Sequence, residues 1–214
     1  MDSLAGEVAT RKDQAAPGVG AGCPVDCADP TRPLRRDAAR NRQRILKAAS
    51  EVFTELGLEV SLDEVARHAG VGVGTVYRHF STKEALLGEL VRQKFRIFTA
   101  NAREALQRDG EPFAVFAGLL RRNAEVCARD AAIQHALTGF GDYISLHAEA
   151  ELSELYGPTA ELIERAQRAG SMRPDVTVGD IPMLMCGVSA TMAQRGPGFD
   201  WHRHLELVID MLRA

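Results

Sequence analysis

Aromatic residues make up 6% of the chain, with one tryptophan, and cysteine occurs four times in 214 residues. No apolar run approaches the ~18 residues that span a bilayer, and the first residues lack the basic-then-apolar order of a secretory signal. A cytoplasmic location without membrane contact is therefore expected. Cys23, Cys27, Cys127 and Cys186 are too few and too scattered for a disulfide framework. Cys23 and Cys27 have no second Cys or His pair at ligand spacing after them, and His202 and His204 would point to different sides of a helix. Neither a metal nor a cofactor is expected. No acid, base and nucleophile stand at a telling spacing, which argues against an enzyme, and no stretch alternates as a strand would.

What is present is 45% hydrophobic residues, enough for a substantial core, and an uneven distribution of charge. The net charge of −3 divides into −3 over residues 1–30, +6 over 31–108 (15 basic, 9 acidic) and −6 over 109–214 (9 basic, 15 acidic). A basic segment joined to an acidic one implies that only the former meets a polyanion.

Residues 1–30 combine Gly, Ala and Pro without hydrophobic periodicity and are expected to form a flexible tail. From Leu34 a helix is predicted in which Ile45, Ala49, Val52, Phe53 and Leu56 recur at helical spacing, ended by Gly57 with Leu58 folding back. Ser61-Leu62-Asp63-Glu64 is a capping box that opens a helix to about Ala69, Gly70 marks a turn, and a short helix covers about Val73 to His79. Ser81-Thr82-Lys83-Glu84 repeats the box pattern ahead of a long helix through Leu86, Leu90, Phe95 and Phe98 to near Leu106. Further helices are predicted from Pro112 to about Arg129, over 131–147, over 149–169 with a kink at Gly157-Pro158, from Asp180 to Gln194, and from Asp200 to Arg213. Gly170–Gly179 reads as a loop, and Gly196-Pro197-Gly198 as the break between the last two helices. The fold class is all-α.

Within Leu62–Phe80, Ala66 is small where two helices must approach, Gly70 can take positive φ in the turn, and Val76 can reach the core from the second helix. That is the spacing of a helix-turn-helix. A helical hairpin with no role in DNA binding satisfies the same three positions. The longer string Val71-Gly72-Val73-Gly74-Thr75-Val76-Tyr77-Arg78-His79-Phe80-Ser81-Thr82-Lys83-Glu84-Ala85-Leu86 resembles the recognition-helix segment of the TetR family of bacterial regulators, and the resemblance extends over about 38–97. Gly170-Ser171-Met172-Arg173-Pro174-Asp175 is similar to a loop that precedes the last two helices of such proteins. The chain departs from the family pattern at Gly72, where serine is frequent; glycine is an acceptable cap, so a hydroxyl contact is lost rather than the helix.

The resemblance implies a three-helix DNA-binding domain over 31–108, with its motif at 61–80, joined to an effector-binding and dimerisation domain over 109–214. The expected partners are double-stranded DNA, a second copy of the chain and a small-molecule effector. The expected DNA contacts are Arg36, Arg40, Ser61, Val73, Gly74, Thr75, Tyr77, Arg78, His79 and Lys83. Hydroxyls of Thr75 and Tyr77 can meet a phosphate or base edge, Arg78 can read guanine, and His79 and Lys83 can reach phosphates. By the same resemblance Phe113, Phe116, Phe140, Tyr143, Met183 and Met185 would line an apolar pocket, with His135, His147 and Cys127 as polar contacts. Plain core packing accounts for the apolar members of that set equally. Two stripes, Ile181, Leu184, Val188 and Met192, then Trp201, Leu205, Val208 and Leu212, would form a two-fold four-helix bundle, with Gly187, Ser189, Ala190 and Ala193 permitting close approach. The expected function is a repressor released from a palindromic operator by its effector. Two alternatives remain at this point: a DNA-binding regulator without an effector, and a helical enzyme with a docking helix-turn-helix.

Overall fold

The computed structural model describes residues 31–130, 133–134, 141–194 and 198–214, with side chains from 37 onward and without those of 141–147. The predicted tail at 1–30 with Cys23 and Cys27, the first part of the predicted 131–147 helix with His135 and Phe140, and the Gly196-Pro197 break lie outside the described residues, as do the side chains of Arg36, Tyr143 and His147. Eight helices are described: α1 Thr31–Leu56, α2 Leu62–Ala69, α3 Val73–His79, α4 Lys83–Leu106, α5 Pro112–Ala128, α6 Gly141–Arg168, α7 Asp180–Ala193 and α8 Trp201–Met211. None of them is long and apolar enough to cross a membrane.

Local chemistry sets the ends of the first helices. Gly57 takes φ 85°, open to glycine at little cost, and its amide bonds the Phe53 carbonyl at 3.1 Å. At the start of α2 the Glu64 amide donates to Ser61 Oγ at 3.3 Å, and the Ser61 amide donates to Glu64 Oε2 at 2.9 Å, a complete capping box. Gly70 ends α2 at φ 62°, and Arg44 of α1 covers that end by donating to the carbonyls of Ala69 (2.9 Å) and Gly70 (3.2 Å).

Two expectations are corrected. The cap of α4 is Thr82, whose hydroxyl accepts from the Ala85 amide at 3.1 Å. Glu84 therefore falls one position short of the reach-back site, so the Ser81 box does not form. In α6 the non-helical residue is Ala148 (φ −141°, ψ 20°), not Gly157-Pro158. Pro158 removes an amide that would have bonded the carbonyl of Glu154, an exposed residue where water can replace it, so the helix continues.

Ile45, Ala49, Phe53, Val65 and Val76 are all essentially inaccessible and form the core of an N-terminal head, to which α4 adds Leu86 and Leu90. Further along, α4 sends Phe95 and Phe98 into a joint cluster with Cys127 and Ile133, and Ala102 and Ala105 into the C-terminal core of Phe113, Phe116, Leu120, Leu162, Val188, Leu205 and Ile209. One helix of 24 residues, about 36 Å long, thus belongs to three clusters. The Gly170–Gly179 loop is fixed by Met172, which is 2% exposed and sits in the C-terminal core, and by the Ala214 amide donating to the Ser171 carbonyl.

Glu89 of α4 is 4% exposed and gathers three arginines: Arg42 of α1 at 3.1 Å, Arg92 at 2.7 Å and Arg96 at 3.3 Å. Arg96 continues to Glu151 of α6 at 2.9 Å. Burial alone would raise the Glu89 pKa, but the hydrogen bonds and charges of Arg92 and Arg42 outweigh it and hold the carboxyl below its ordinary value. A depressed carboxylate adds stability above the unfolded-state value, about 4.3, and loses it as pH falls through the folded-state value. Glu89→Gln is expected to cost about 1–3 kcal/mol at pH 7. Thermal melting should show the gap between parent and variant closing below about pH 4.

Candidate nucleic-acid interface and candidate effector cavity

The surface formed by α3 and the start of α4 is built from the inside outward. Val76 (0% exposed) and Phe80 (3%) anchor α3 in the head's core, which turns the opposite face to solvent. On that face Val73 and Tyr77 stand one turn apart, 42% and 48% exposed, with Gly74 and Arg78 beside them. Large apolar groups left exposed at helical spacing, next to a guanidinium, suit thymine methyls, sugars and base edges. Thr75 and His79 are half-buried at the sides of the helix. Gly72 caps α3 without a side-chain bond, so its hydroxyl-free surface lets a backbone approach closely. Lys83 is the first residue of α4, where the helix dipole favours an anion, and neither it nor Arg78 has an ion pair among the described residues.

The remaining predicted contacts are placed less favourably. The Ser61 hydroxyl donates to Glu64 Oε2 at 3.0 Å while accepting the Glu64 amide, so contact with a phosphate requires it to leave that carboxylate. Arg40 is exposed on α1 and pairs loosely with Asp37 at 3.6 Å. Arg42, absent from the predicted set, lies over the Phe80 ring at 5.4 Å while holding Glu89, and so fixes the end of α3 against α1 and α4.

In the C-terminal part, α4, α5, α6 and α7 line a partly open cavity of about 120 Å³. Phe95 and Phe98 of α4 line it, with Leu119, Asn123 and Cys127 of α5, Leu152, Tyr156 and Thr159 of α6, and Ile181, Met185 and Cys186 of α7 among the rest. Of the predicted lining, Cys127 and Met185 are present. Phe113 and Phe116 are corrected: both are 0% exposed and fill the core beside the cavity, where α5 meets α7 and α8. Met183 is corrected as well, since it is 65% exposed on the outer face of α7. Asn123 is oriented by Asn101, which donates to its Oδ1 at 2.8 Å. Burial and the nearby Asp130 charge push the Cys127 thiol up to about 12, so it meets the cavity as a neutral group.

Part of the predicted dimer stripes is buried within the subunit, while Leu184, Met192 and Trp201 stay half-exposed. Val188 (0%), Leu205 (3%), Val208 (3%) and Leu212 (5%) are inside the subunit, Leu184, Met192 and Trp201 pack against the same core, and Ile181 faces the cavity. The apolar face of α5 has to be covered by α7 and α8 of its own subunit, which consumes that part of the stripes. The outward faces carry Met183 (65%), Leu207 (46%) and Met211 (55%), with Gly187 and Ala190 also exposed. The readable signal was that α7 is apolar nearly all round, as a helix with two covered faces must be.

A short helix anchored by Val76 across the turn from α2, with a polar and apolar face exposed and a further set of helices behind it, has the geometry of a helix-turn-helix. The model of bacterial regulatory proteins of the tetR family matches residues 45–90, and a model described as the C-terminal domain of SbtR-like transcriptional regulators matches 111–214. The crystal structure of a TetR transcription regulatory protein from Mycobacterium vanbaalenii is 37% identical, covers 85% of this chain and 100% of that one, and superposes with a TM-score of 0.59. Thermus thermophilus FadR, a TetR-family transcriptional repressor in complex with lauroyl-CoA, is 26% identical, covers 79% and 92%, and has a TM-score of 0.56. An HTH-type transcriptional regulator of Staphylococcus aureus strain USA300 is 38% identical over 72 residues, 33% of this chain; the match spans 39% of that relative. The chain belongs to the TetR family of bacterial regulatory proteins. Its relatives are regulators of transcription, and the reading as a helical enzyme falls away.

Lys83→Ala is expected to weaken binding to all duplex sequences alike and to reduce the salt slope by about one. Arg78→Ala should instead relax preference at one base position, at a cost of about 1–3 kcal/mol. Affinities measured over a salt series on specific and scrambled duplexes distinguish the two effects.

Proposed function

We propose that the protein is a dimeric repressor that reads a palindromic operator with α3 and leaves it when a small, largely apolar molecule enters the cavity between α4 and α7. The observation that carries this reading is the double role of α4: its first turn abuts the recognition helix at Phe80–Lys83, and its Phe95 and Phe98 are walls of the cavity. A molecule that displaces those rings acts on the same rigid element that orients α3. FadR of Thermus thermophilus in complex with lauroyl-CoA, with this fold, supports an acyl-like apolar ligand. A hundredfold loss of operator affinity requires the ligand to favour the DNA-incompetent state by about 2.7 kcal/mol, within reach of a few buried contacts.

The dimer surface in this reading is the outward face of α7 and α8, with Met183, Leu207 and Met211 as apolar contacts and Gly187 and Ala190 allowing close approach. The two helices are held as a unit by the hydrogen bond between Thr191 Oγ1 and His204 Nδ1 at 2.7 Å. A two-fold pair would present its recognition helices to half-sites about one DNA turn apart, ~34–36 Å.

Three measurements test these statements. Met183→Glu combined with Leu207→Glu should sediment as a folded monomer with lost operator affinity, and a variant that stays dimeric would move the interface elsewhere. Val188→Glu, by contrast, should unfold the C-terminal domain, because it buries a charge in the core of one subunit. Thermal-shift screening of neutral apolar and acyl compounds, followed by titration of each hit into the protein–operator complex, should give release; stabilisation without release would overturn the effector reading.

A further inference from the structure

We propose that the carboxylate of Asp130 is a latch between the cavity and the DNA-binding head, a second connection in parallel with α4. This inference rests on the proposed effector-coupled function.

Asp130, two residues past the end of α5, is 1% exposed. Its Oδ2 accepts the Ser50 hydroxyl of α1 at 3.0 Å and the Lys94 ammonium of α4 at 2.9 Å, while its Oδ1 accepts the Ile133 amide at 3.2 Å. One buried oxygen therefore joins the head, the connecting helix and the end of α5. Ser50 is next to Ala49 and one turn before Phe53, both at 0% exposure in the head's core, so a shift of Ser50 is a shift of the whole head.

The other side of the latch belongs to the cavity. Cys127, one turn before Asp130 on α5, is a cavity wall, and so is Phe95, the residue after Lys94. The Cys127 thiol feels the Asp130 and Lys94 charges and also Cys186 across the cavity, which places the latch at the cavity's edge. A ligand that presses Cys127 and Phe95 apart separates Asp130 from Lys94 or draws it away from Ser50. At a buried carboxylate the loss of one of these bonds is costly, because water does not readily replace it. The junction therefore favours a made or a broken bond over a stretched one, the discrete behaviour that a coupling element needs. Asp130 acts here as a positioning residue and touches neither DNA nor ligand.

The test needs no identified ligand. The operator probe is a duplex selected for binding from a random-sequence pool, and Cys186→Trp fills the cavity in place of an effector. In the parent, Cys186→Trp should weaken binding about tenfold or more. Ser50→Ala, which removes only the bond between the head and the latch, should weaken binding about threefold to tenfold. Adding Cys186→Trp to Ser50→Ala should then weaken it by less than about twofold more, because the connection is already open. Ser50→Thr, which keeps the hydroxyl, should restore both the affinity and the full response, which a merely structural role for Ser50 does not require. Melting curves accompany every variant, and if Cys186→Trp does not fold, Cys186→Met completes the same cycle. Effects of Ser50→Ala and of filling that multiply would overturn the latch while leaving the effector reading intact. A filled cavity that leaves operator affinity unchanged in the parent would overturn the effector reading, and the latch with it.

Discussion

A single unbroken helix, α4, packs into the core of the head, into the core of the C-terminal domain and into the joint between them, so no part can settle without fixing the direction of the others. Glu89 shows how strictly that direction is held. Its buried charge is tolerable only with arginines around it, and those arginines come from α1 as well as from α4, with Arg96 reaching on to α6. The orientation of the head is therefore set by charge pairing as well as by apolar packing. Because Arg42 also covers Phe80, the same cluster fixes where the recognition helix ends.

The interface proposed for DNA depends on an asymmetry within a seven-residue helix. Val76 alone is buried, so Val73, Tyr77 and Arg78 are left outside on a surface too small to hold a core of its own. Behind it the chain changes sign, from +6 over residues 31–108 to −6 over 109–214. In the proposed function, repulsion between the acidic C-terminal part and phosphate would keep a duplex against the head.

What the sequence disclosed were features decided by neighbours along the chain. Gly57, the Ser61–Glu64 box, Gly70 and Pro112 mark helix ends because caps and left-handed turns involve residues within four positions of one another. Ser81 and Thr82 are both good caps by residue type, and the structure uses Thr82, whose hydroxyl accepts from the Ala85 amide. The cavity and the outward faces of α7 and α8 depend on which helix covers which, and no spacing encodes that. Phe113 and Phe116 have the same pattern whether they line a pocket or fill a core, and Val188 and Met183 both belong to an apolar helix whose two faces can be told apart only once α5 is in place. The bridging role of Asp130 left no local sign, since its partners Ser50 and Lys94 are 80 and 36 residues away.

A nuclease-protection footprint on the DNA flanking the protein's own coding region tests the central claim most directly. The account predicts a short protected palindrome whose two halves lie about one helical turn apart, or a longer array of such halves, lost at high salt and with Lys83→Ala. Uniform protection without a boundary, or protection of a site without two-fold symmetry, would contradict it.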